Sequence, residues 1–318
     1  MTAMAAAEQR ILVTGAGGFV GTKLVSRLRK RFPDAEFFLA DHTAKASITH
    51  EVDIADAEAV DDLIKETQPT ILFHLAAVAA VASSFADPRY TWRTNALGTL
   101  NLVISISAHA PDCHFIFISS AEVYGRSTFA GRPVAENALL LPANPYAVTK
   151  AAADLLVQEA AGRSLFATIL RPFNHTGPGQ TTSFVVPAFC SQIARIEKGL
   201  QPPVIKVGEL EDERDFLDVE DVVDAYVAVA ERGRELPSGL VLNIASSQPR
   251  KIGDILQLLL SLSSVPIAVE VDHSRLRASR VPRIVGEASR ARTLLNWHPT
   301  RDLTKTISDL LFYWRSHT

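Results

Sequence analysis

The apolar run Arg10-Ile-Leu-Val-Thr14 leads directly into Gly15-x-x-Gly18-x-x-Gly21, which opens an amphipathic helix. No other feature of the chain restricts its fold as tightly. The glycines permit a sharp turn and let the backbone come close to a ligand. The helix that follows offers free N–H groups and partial positive charge at its first turn. Strand, glycine turn and helix in that order begin a βαβ unit. The acid at the end of the next strand, Asp41, stands twenty residues beyond Gly21, where it can accept hydrogen bonds from the hydroxyls of an adenosine ribose and repel a 2′-phosphate. These features predict a dinucleotide site at Gly15, Gly18 and Gly21, with NAD(H) favoured and NADP(H) possible because His42 and Lys45 stand close to the acid.

The alternation continues down the chain. Residues 36–40, 70–75, 114–119 and 166–170 read as strands, and residues 21–32, 57–67, 90–110 and 145–162 as helices. Strands alternating with helices predict an α/β, doubly wound parallel sheet covered on both faces. After Arg171 the texture changes. A Gly/Pro-rich turn, Asn174-His-Thr-Gly-Pro-Gly-Gln180, precedes a helix at 185–198, and the strand-like 240–244 is expected to return to the first sheet. Residues 250–300 read as helix and strand of a smaller lobe, closed by an amphipathic helix at 303–315. The expected organisation is a dinucleotide-binding domain over 1–172, completed by about 220–247, with 173–219 and 248–318 forming an interleaved C-terminal α/β substrate lobe.

Composition narrows the function class. The chain has 318 residues, 47% hydrophobic and 21% charged, with a net charge of −3. Without a basic block, nucleic acid is not an expected partner. Two cysteines, Cys113 and Cys190, form neither a metal motif nor a disulfide framework. No metal is expected, and a reducing cytoplasm fits best. The first ten residues carry no usable signal peptide. No stretch reaches the roughly 18 apolar residues of a membrane span.

The chemistry is concentrated in Ser119-Ser-Ala-Glu-Val-Tyr-Gly125 and in Tyr146-x-x-x-Lys150. The first follows a strand, and ligands in parallel sheets bind beyond the carboxyl ends of the strands. Ser120 can donate to a ketone or alkoxide oxygen, and Glu122 can act as an acid/base or bind a sugar hydroxyl. Spacing of four puts Tyr146 and Lys150 on one face of a helix. A lysine ammonium there is expected to pull the tyrosine down from its ordinary pKa of about 10. Asp53 and Ile54 can hold an adenine or simply cap and pack. Leu75, Ala76 and Ala77 end the third strand with little bulk, which suits either a cofactor or a core. Asn95, in the middle of a helix, either satisfies a helix irregularity or lies on a solvated face.

Taken together, Thr14-Gly-Ala-Gly-Gly-Phe-Val-Gly21, His74-Leu-Ala-Ala77, Ser119 to Gly125, Tyr146-x-x-x-Lys150 and Arg171-Pro-Phe-Asn174 resemble the extended short-chain dehydrogenase/reductases, the nucleotide-sugar epimerase/dehydratase/reductase family, over about residues 10–315. The resemblance implies a Rossmann domain, a catalytic triad at Ser120, Tyr146 and Lys150, and a homodimer built as a four-helix bundle from 90–110 and 146–162. It adds Phe19, Val20 and Phe173 as cofactor residues. The stretches Arg171 to Gln180, Phe184-Val-Val-Pro and Arg214 to Tyr226 are similar to the GDP-4-keto-6-deoxy-D-mannose reductases. That similarity implies a GDP-linked keto-sugar substrate met by Asn174, Val186, Arg214 and Arg277, alongside Ser120 and Glu122. Arg214 can alternatively pair with Asp215 or Glu213. Relatives often read Arg-Pro-x-Asp-Val-Pro where this chain has Arg277-Ala-Ser-Arg-Val-Pro282, and Glu220 replaces a frequent basic residue. The implied reaction is reduction of the C4 ketone to a GDP-6-deoxyhexose such as GDP-D-rhamnose. The 4-epimerase, 4,6-dehydratase and non-catalytic dinucleotide-sensor alternatives stay open, as does the stereochemistry at C4.

Overall fold

A computed structural model describes residues 9–276 and 281–318. The first half consists of β1 (Arg10–Thr14), α1 (Phe19–Arg31), β2 (Glu36–Asp41), β3 (His50–Glu51), α2 (Ala57–Thr67), β4 (Ile71–His74), α3 (Val81–Ala86), α4 (Pro88–Trp92), α5 (Gly98–His109), β5 (His114–Ile118), α6 (Pro145–Arg163) and β6 (Ala167–Pro172). The second consists of β7 (Asn174–Thr176), α7 (Val185–Glu197), β8 (Val204–Val207), β9 (Glu213–Asp218), α8 (Val219–Arg232), β10 (Leu240–Ile244), β11 (Pro249–Lys251), α9 (Ile252–Ser261), β12 (Ala268–Val271), β13 (Arg283–Ile284), α10 (Ser289–Leu295) and α11 (Leu303–His317).

Seven strands form one parallel sheet in the order β10-β6-β5-β4-β1-β2-β3. Strand order reverses beside β1, which opens the crevice where doubly wound folds bind ligands. The strands are apolar along their length because both faces are covered. Ile11 and Val13 of β1 enter one core with α1, α8 and α10, while Leu12 enters the other with α2, α5 and α6. This two-residue alternation repeats in β4, where Phe73 and Leu72 part to opposite cores, and in β5, where Ile116 parts from Phe115 and Phe117. As expected, 240–244 pairs with β6.

The stretch expected as one helix over 90–110 is helical throughout, but 93–97 form a wider π turn. Asn95 explains it. Its side chain accepts from the Val78 N–H at 2.8 Å and donates to the Thr149 hydroxyl at 3.0 Å, so it lies buried against α6 and not on a solvated face.

The smaller sheet joins β11, β9 and β13, with β7 also pairing to β9. A separate pair, β8 with β12, lies nearby. Helices α7, α9 and α11 share a third core of Phe189, Ile193, Leu256, Leu259 and Leu310. The sequence puts 248–318 in this lobe, yet Ala291, Leu295 and Trp297 pack into the first sheet's core.

Between β6 and α6 lies a fully buried ion pair. Arg171 donates from Nε and Nη2 to the two carboxylate oxygens of Asp154, at 2.9 and 2.8 Å. Removing one member of a buried pair leaves an uncompensated charge. Arg171→Met is therefore expected to lower unfolding free energy by about 3–5 kcal/mol, read from chemical denaturation. A loss below about 1 kcal/mol would mean that water or another cation replaces the guanidinium.

Candidate active site

The glycine turn follows β1 at the sheet's switch point. Gly15 has φ +72°, and a Cβ there would stand 2.7 Å from the Ala76 nitrogen. A Cβ on Gly21 would stand 2.2 Å from the Gly15 carbonyl oxygen, so the turn closes only on bare Cα atoms. Gly18 caps α1 without any side-chain hydrogen bond, and no acid occupies the first turn. The N–H groups at the start of α1 therefore lack a side-chain acceptor, and the residues fit a pyrophosphate.

Asp41 ends β2 and is nearly buried. Its Oδ2 accepts from the Gly17 N–H at 2.9 Å, and its Oδ1 pairs with His42 Nδ1 at 2.9 Å. Lys45 Nζ donates to the Gly17 carbonyl at 2.8 Å. Acid and base thus stand together over the glycine turn. Asp53 folds its carboxylate back to accept from the Ala55 N–H at 3.0 Å. Ile54 is 4% exposed, inserted where Gly98 leaves room. Its side chain packs inside the protein, the second of the two alternatives that the sequence left open. Leu75, Ala76 and Ala77 are half-buried beside the turn. Phe19 opens α1 and stacks on His175 at 6.4 Å, with Val20 packed on the first core.

Ser120, Tyr146, Lys150 and Glu122 meet beyond the ends of β4 and β5. Ser120 accepts from the Glu122 N–H at 3.2 Å, and its hydroxyl stands near enough to the Tyr146 phenol to favour the phenolate. Glu122 in turn accepts from Asn144, the residue that caps α6, at 3.0 Å. Burial pushes the Tyr146 phenol up to about 12; the Ser120 hydrogen bond opposes this and the Glu122 charge adds to it. The expected lowering by Lys150 is therefore corrected. The lysine turns away from the phenol, donating to the Ile118 carbonyl at 2.5 Å and lying 4.6 Å from the Phe117 ring centre. Burial brings Lys150 down to about 7, against the pull of Asp154. His74 sits beneath, bonded to Thr14 at 2.8 Å and Thr99 at 3.0 Å; burial and then Lys150 push it down to about 3. A tyrosine in this setting keeps its proton through neutral pH and can give it up to a developing oxyanion beside Ser120.

The residues expected at the substrate are more dispersed. Asn174 begins β7 beside Phe216 and is half-buried. Phe173, however, is 1% exposed and packs against Tyr124, so its ring belongs to the core. Val186 is likewise 1% exposed within the third core, and its neighbours Phe184 and Val185 are the exposed apolar residues there. Arg214 donates to Asp212 at 3.1 Å and to the Glu213 carbonyl at 2.9 Å, close to the alternative read from sequence. Asp215 is occupied elsewhere. Arg277 lies outside the described residues.

Sequence reading missed a cavity of about 610 Å³ between α7 and the β8–β12 pair, lined among others by Ser191, Arg195, Lys206, Glu270 and Arg275. Its lining comes from stretches far apart in sequence, and the register that sets Lys206 opposite Glu270 is supplied by the fold. Asp154 was also missed, although it stands one turn beyond Lys150. Among the described residues, no cluster of His, Cys, Asp and Glu is placed to hold a metal ion, and no helix is long and apolar enough to cross a membrane.

A parallel sheet with a glycine turn at its switch point and a Ser/Tyr/Lys cluster at its strand ends defines a class of dinucleotide-dependent enzyme folds. A sequence model of the GDP-mannose 4,6 dehydratase family matches residues 12–310. The chain belongs to this family, within the extended short-chain dehydrogenase/reductases. GDP-6-deoxy-D-mannose reductase of Pseudomonas aeruginosa is 35% identical over 97% of this chain and 98% of that protein. GDP-6-deoxy-D-talose 4-dehydrogenase of Aggregatibacter actinomycetemcomitans is 27% identical over 90% of this chain and 91% of that protein. The structure of RMD from Pseudomonas aeruginosa complexed with NADPH is 34% identical, with a TM-score of 0.84 over 98% of this chain and all (100%) of that one.

Gly21→Ala tests the turn. With its Cβ at 2.2 Å from the Gly15 oxygen, the turn must open. NADH and NADPH are then expected to bind at least about tenfold more weakly, about 1.4 kcal/mol, in a fluorescence titration with circular dichroism unchanged. Wild-type affinity in that variant would move the dinucleotide elsewhere.

Proposed function

We propose that the protein reduces the C4 ketone of GDP-4-keto-6-deoxy-D-mannose to a GDP-6-deoxyhexose. The observation that carries this reading is the buried, protonated Tyr146 held against Ser120, in a chain similar over nearly its whole length to a GDP-6-deoxy-D-mannose reductase. Gly15, Gly18 and Gly21 would hold the pyrophosphate, Asp41 the adenosine ribose and Lys150 the nicotinamide ribose. When bound, a reduced nicotinamide supplies hydride to the C4 carbon. Ser120 donates a hydrogen bond to O4 as negative charge gathers there, and Tyr146 passes its phenolic proton to the same oxygen. Carbonyl, hydride and proton together make the alcohol.

The cavity beside α7 suits the nucleoside end of the substrate, since it joins three cations with one carboxylate outside the catalytic cluster. Asp41 favours NADH, while Lys45 beside it gives NADPH a foothold. The related reductase structure with NADPH makes that second cofactor a real competitor. GDP-D-rhamnose is the product expected from the similarity to the reductase.

Absorbance at 340 nm with enzymatically made keto-sugar and each reduced cofactor tests the reading. Tyr146→Phe is expected to lose at least about a hundredfold in turnover with cofactor affinity nearly unchanged. Full turnover in that variant would end the assignment. Nucleotide-sugar binding without cofactor oxidation would favour a 4-epimerase or dehydratase.

The exposed apolar residues support a homodimer. Leu97 and Ile104 on one helical stretch, at 50% and 58% exposure, and Val148 and Leu155 on α6, at 37% and 56%, repeat at seven-residue spacing. Paired with a second copy, these faces would make a four-helix bundle. Ile104→Glu with Leu155→Glu is expected to run as a monomer in light scattering. A dimer that survives both charges would use another surface.

A further inference from the structure

We propose that Asp154 is a positioning residue for the reaction: its carboxylate, gripped by Arg171, pins the Ser119 hydroxyl behind Ser120 and holds a negative charge one helical turn from Lys150. The inference rests on reading Ser120, Tyr146 and Lys150 as the proton-transfer groups.

Both carboxylate oxygens of this fully buried side chain are occupied. Oδ2 accepts from Ser119 Oγ at 2.5 Å and Arg171 Nε at 2.9 Å. Oδ1 accepts from Arg171 Nη2 at 2.8 Å and Gln158 Nε2 at 2.6 Å. One turn earlier on α6, Lys150 donates to the Ile118 carbonyl at 2.5 Å. Successive turns of the helix thus clamp successive residues, Ile118 and Ser119, at the end of β5. Ser120 is the next residue, and its hydroxyl meets Tyr146. The serine and tyrosine are therefore aligned by the same helix that carries the tyrosine.

The groups around Lys150 single out the carboxylate. Tyr146 lies on its own helix, the Phe117 ring on β5, His74 on β4 and Arg171 on β6. Tyr146 keeps its proton, and His74 is held neutral near 3. Arg171 is bound to Asp154. Burial lowers Lys150 to about 7, and Asp154 is the charge that opposes it. A lysine loses its ammonium as pH rises through its folded pKa. Without the Asp154 charge that loss comes at lower pH.

The test compares full-length wild type with Asp154→Asn, Asp154→Asn/Arg171→Gln and Ser119→Ala, each checked by circular dichroism. Keto-sugar turnover is followed across pH, and Lys150 is titrated through its ¹⁵Nζ resonance. In Asp154→Asn, the alkaline limb of kcat/KM and the lysine titration are both expected to move down by about one pH unit or more. Ser119→Ala should lower kcat severalfold, leave the limb in place and hardly change the KM for the reduced cofactor. A folded Asp154→Asn variant with the wild-type limb and lysine titration overturns the proposal. The double variant removes the ion pair as a unit, so its charges cancel; where the single one does not fold, it is read through kcat, and wild-type kcat there overturns the clamp. Should neither fold, Ser119→Ala decides, and wild-type kcat there overturns the clamp. Wild-type protein that never oxidises the cofactor counts against the reductase reading alone, because the Lys150 titration still reports on Asp154.

Discussion

The bidentate pair between Arg171 and Asp154 is the constraint on which the catalytic half of the molecule is built. It is completely enclosed, so water cannot stand in for either partner. A buried pair of this kind adds little net stability compared with an apolar packing, yet neither partner tolerates loss of the other. Its effect is geometric. The guanidinium has further donors, and Arg171 uses one of them on the Tyr124 hydroxyl and the Glu136 carbonyl, both at 3.0 Å. Tyr124 then donates to Asn243 on β10 at 2.7 Å, and Asn243 donates to the Val134 and Glu287 carbonyls. One planar cation thus ties together β6, α6, the turn after β5, the long loop before α6 and the last strand of the sheet. Lysine, a point charge without a planar fork, could not span these acceptors.

The same enclosure sets the protonation of the site. His74, Lys150 and Tyr146 are all displaced toward their neutral forms, and burial is the largest cause in each. This is unlike the simple picture of a lysine that acidifies its tyrosine across one helical turn. A tyrosine held near 12 is a proton carrier first, suited to the reductive direction, in which the phenol begins protonated. Glu122 adds negative charge near the phenol but is itself bound to Asn144. That bond engages one of its carboxylate oxygens at the cap of α6, which fixes where its charge stands beside the phenol.

The glycine turn, the parallel strands and the Tyr146 helix were legible because each rests on local chemistry: bare Cα atoms, unbroken apolar runs and a fixed helical period. What escaped reading depended on contacts distant in sequence. The strand β9 begins Glu213-Arg-Asp, which has no strand-like alternation, and it exists because β7, β11 and β13 gather round it. At Asn95 the sequence left a helix irregularity and a solvated face both open, and what decides between them, its reach to Val78 and Thr149, cannot be inferred from helix periodicity. Phe173 stands between Arg171 and Asn174, and Val186 stands beside the exposed Phe184 and Val185; only burial reveals that both side chains face cores. Asp154 was invisible for the opposite reason. An acid in the middle of an alanine-rich helix looks like a solvated residue until the arginine on β6 is known to meet it.

The junction of the two sheets explains how the smaller lobe can be held in a fixed place without sharing the first sheet. Strand β6 passes to β7 through the single residue Phe173, and β9 runs without a break into α8, which packs beneath the first sheet. Asp215, in the middle of β9, accepts from Ser246 through both N–H and hydroxyl, and from the Ser247 and Gly286 N–H groups. Burial raises its pKa, but these four donors hold the carboxylate in place. The end of β10 is thereby stitched to the smaller sheet at the same edge where Ser120 and Tyr146 emerge. With the substrate placed as proposed, a nucleoside in the lobe and a sugar ring over the strand ends would answer to one rigid frame. In such a frame, binding energy gained at the distant nucleotide can be used to orient the carbonyl against the phenol.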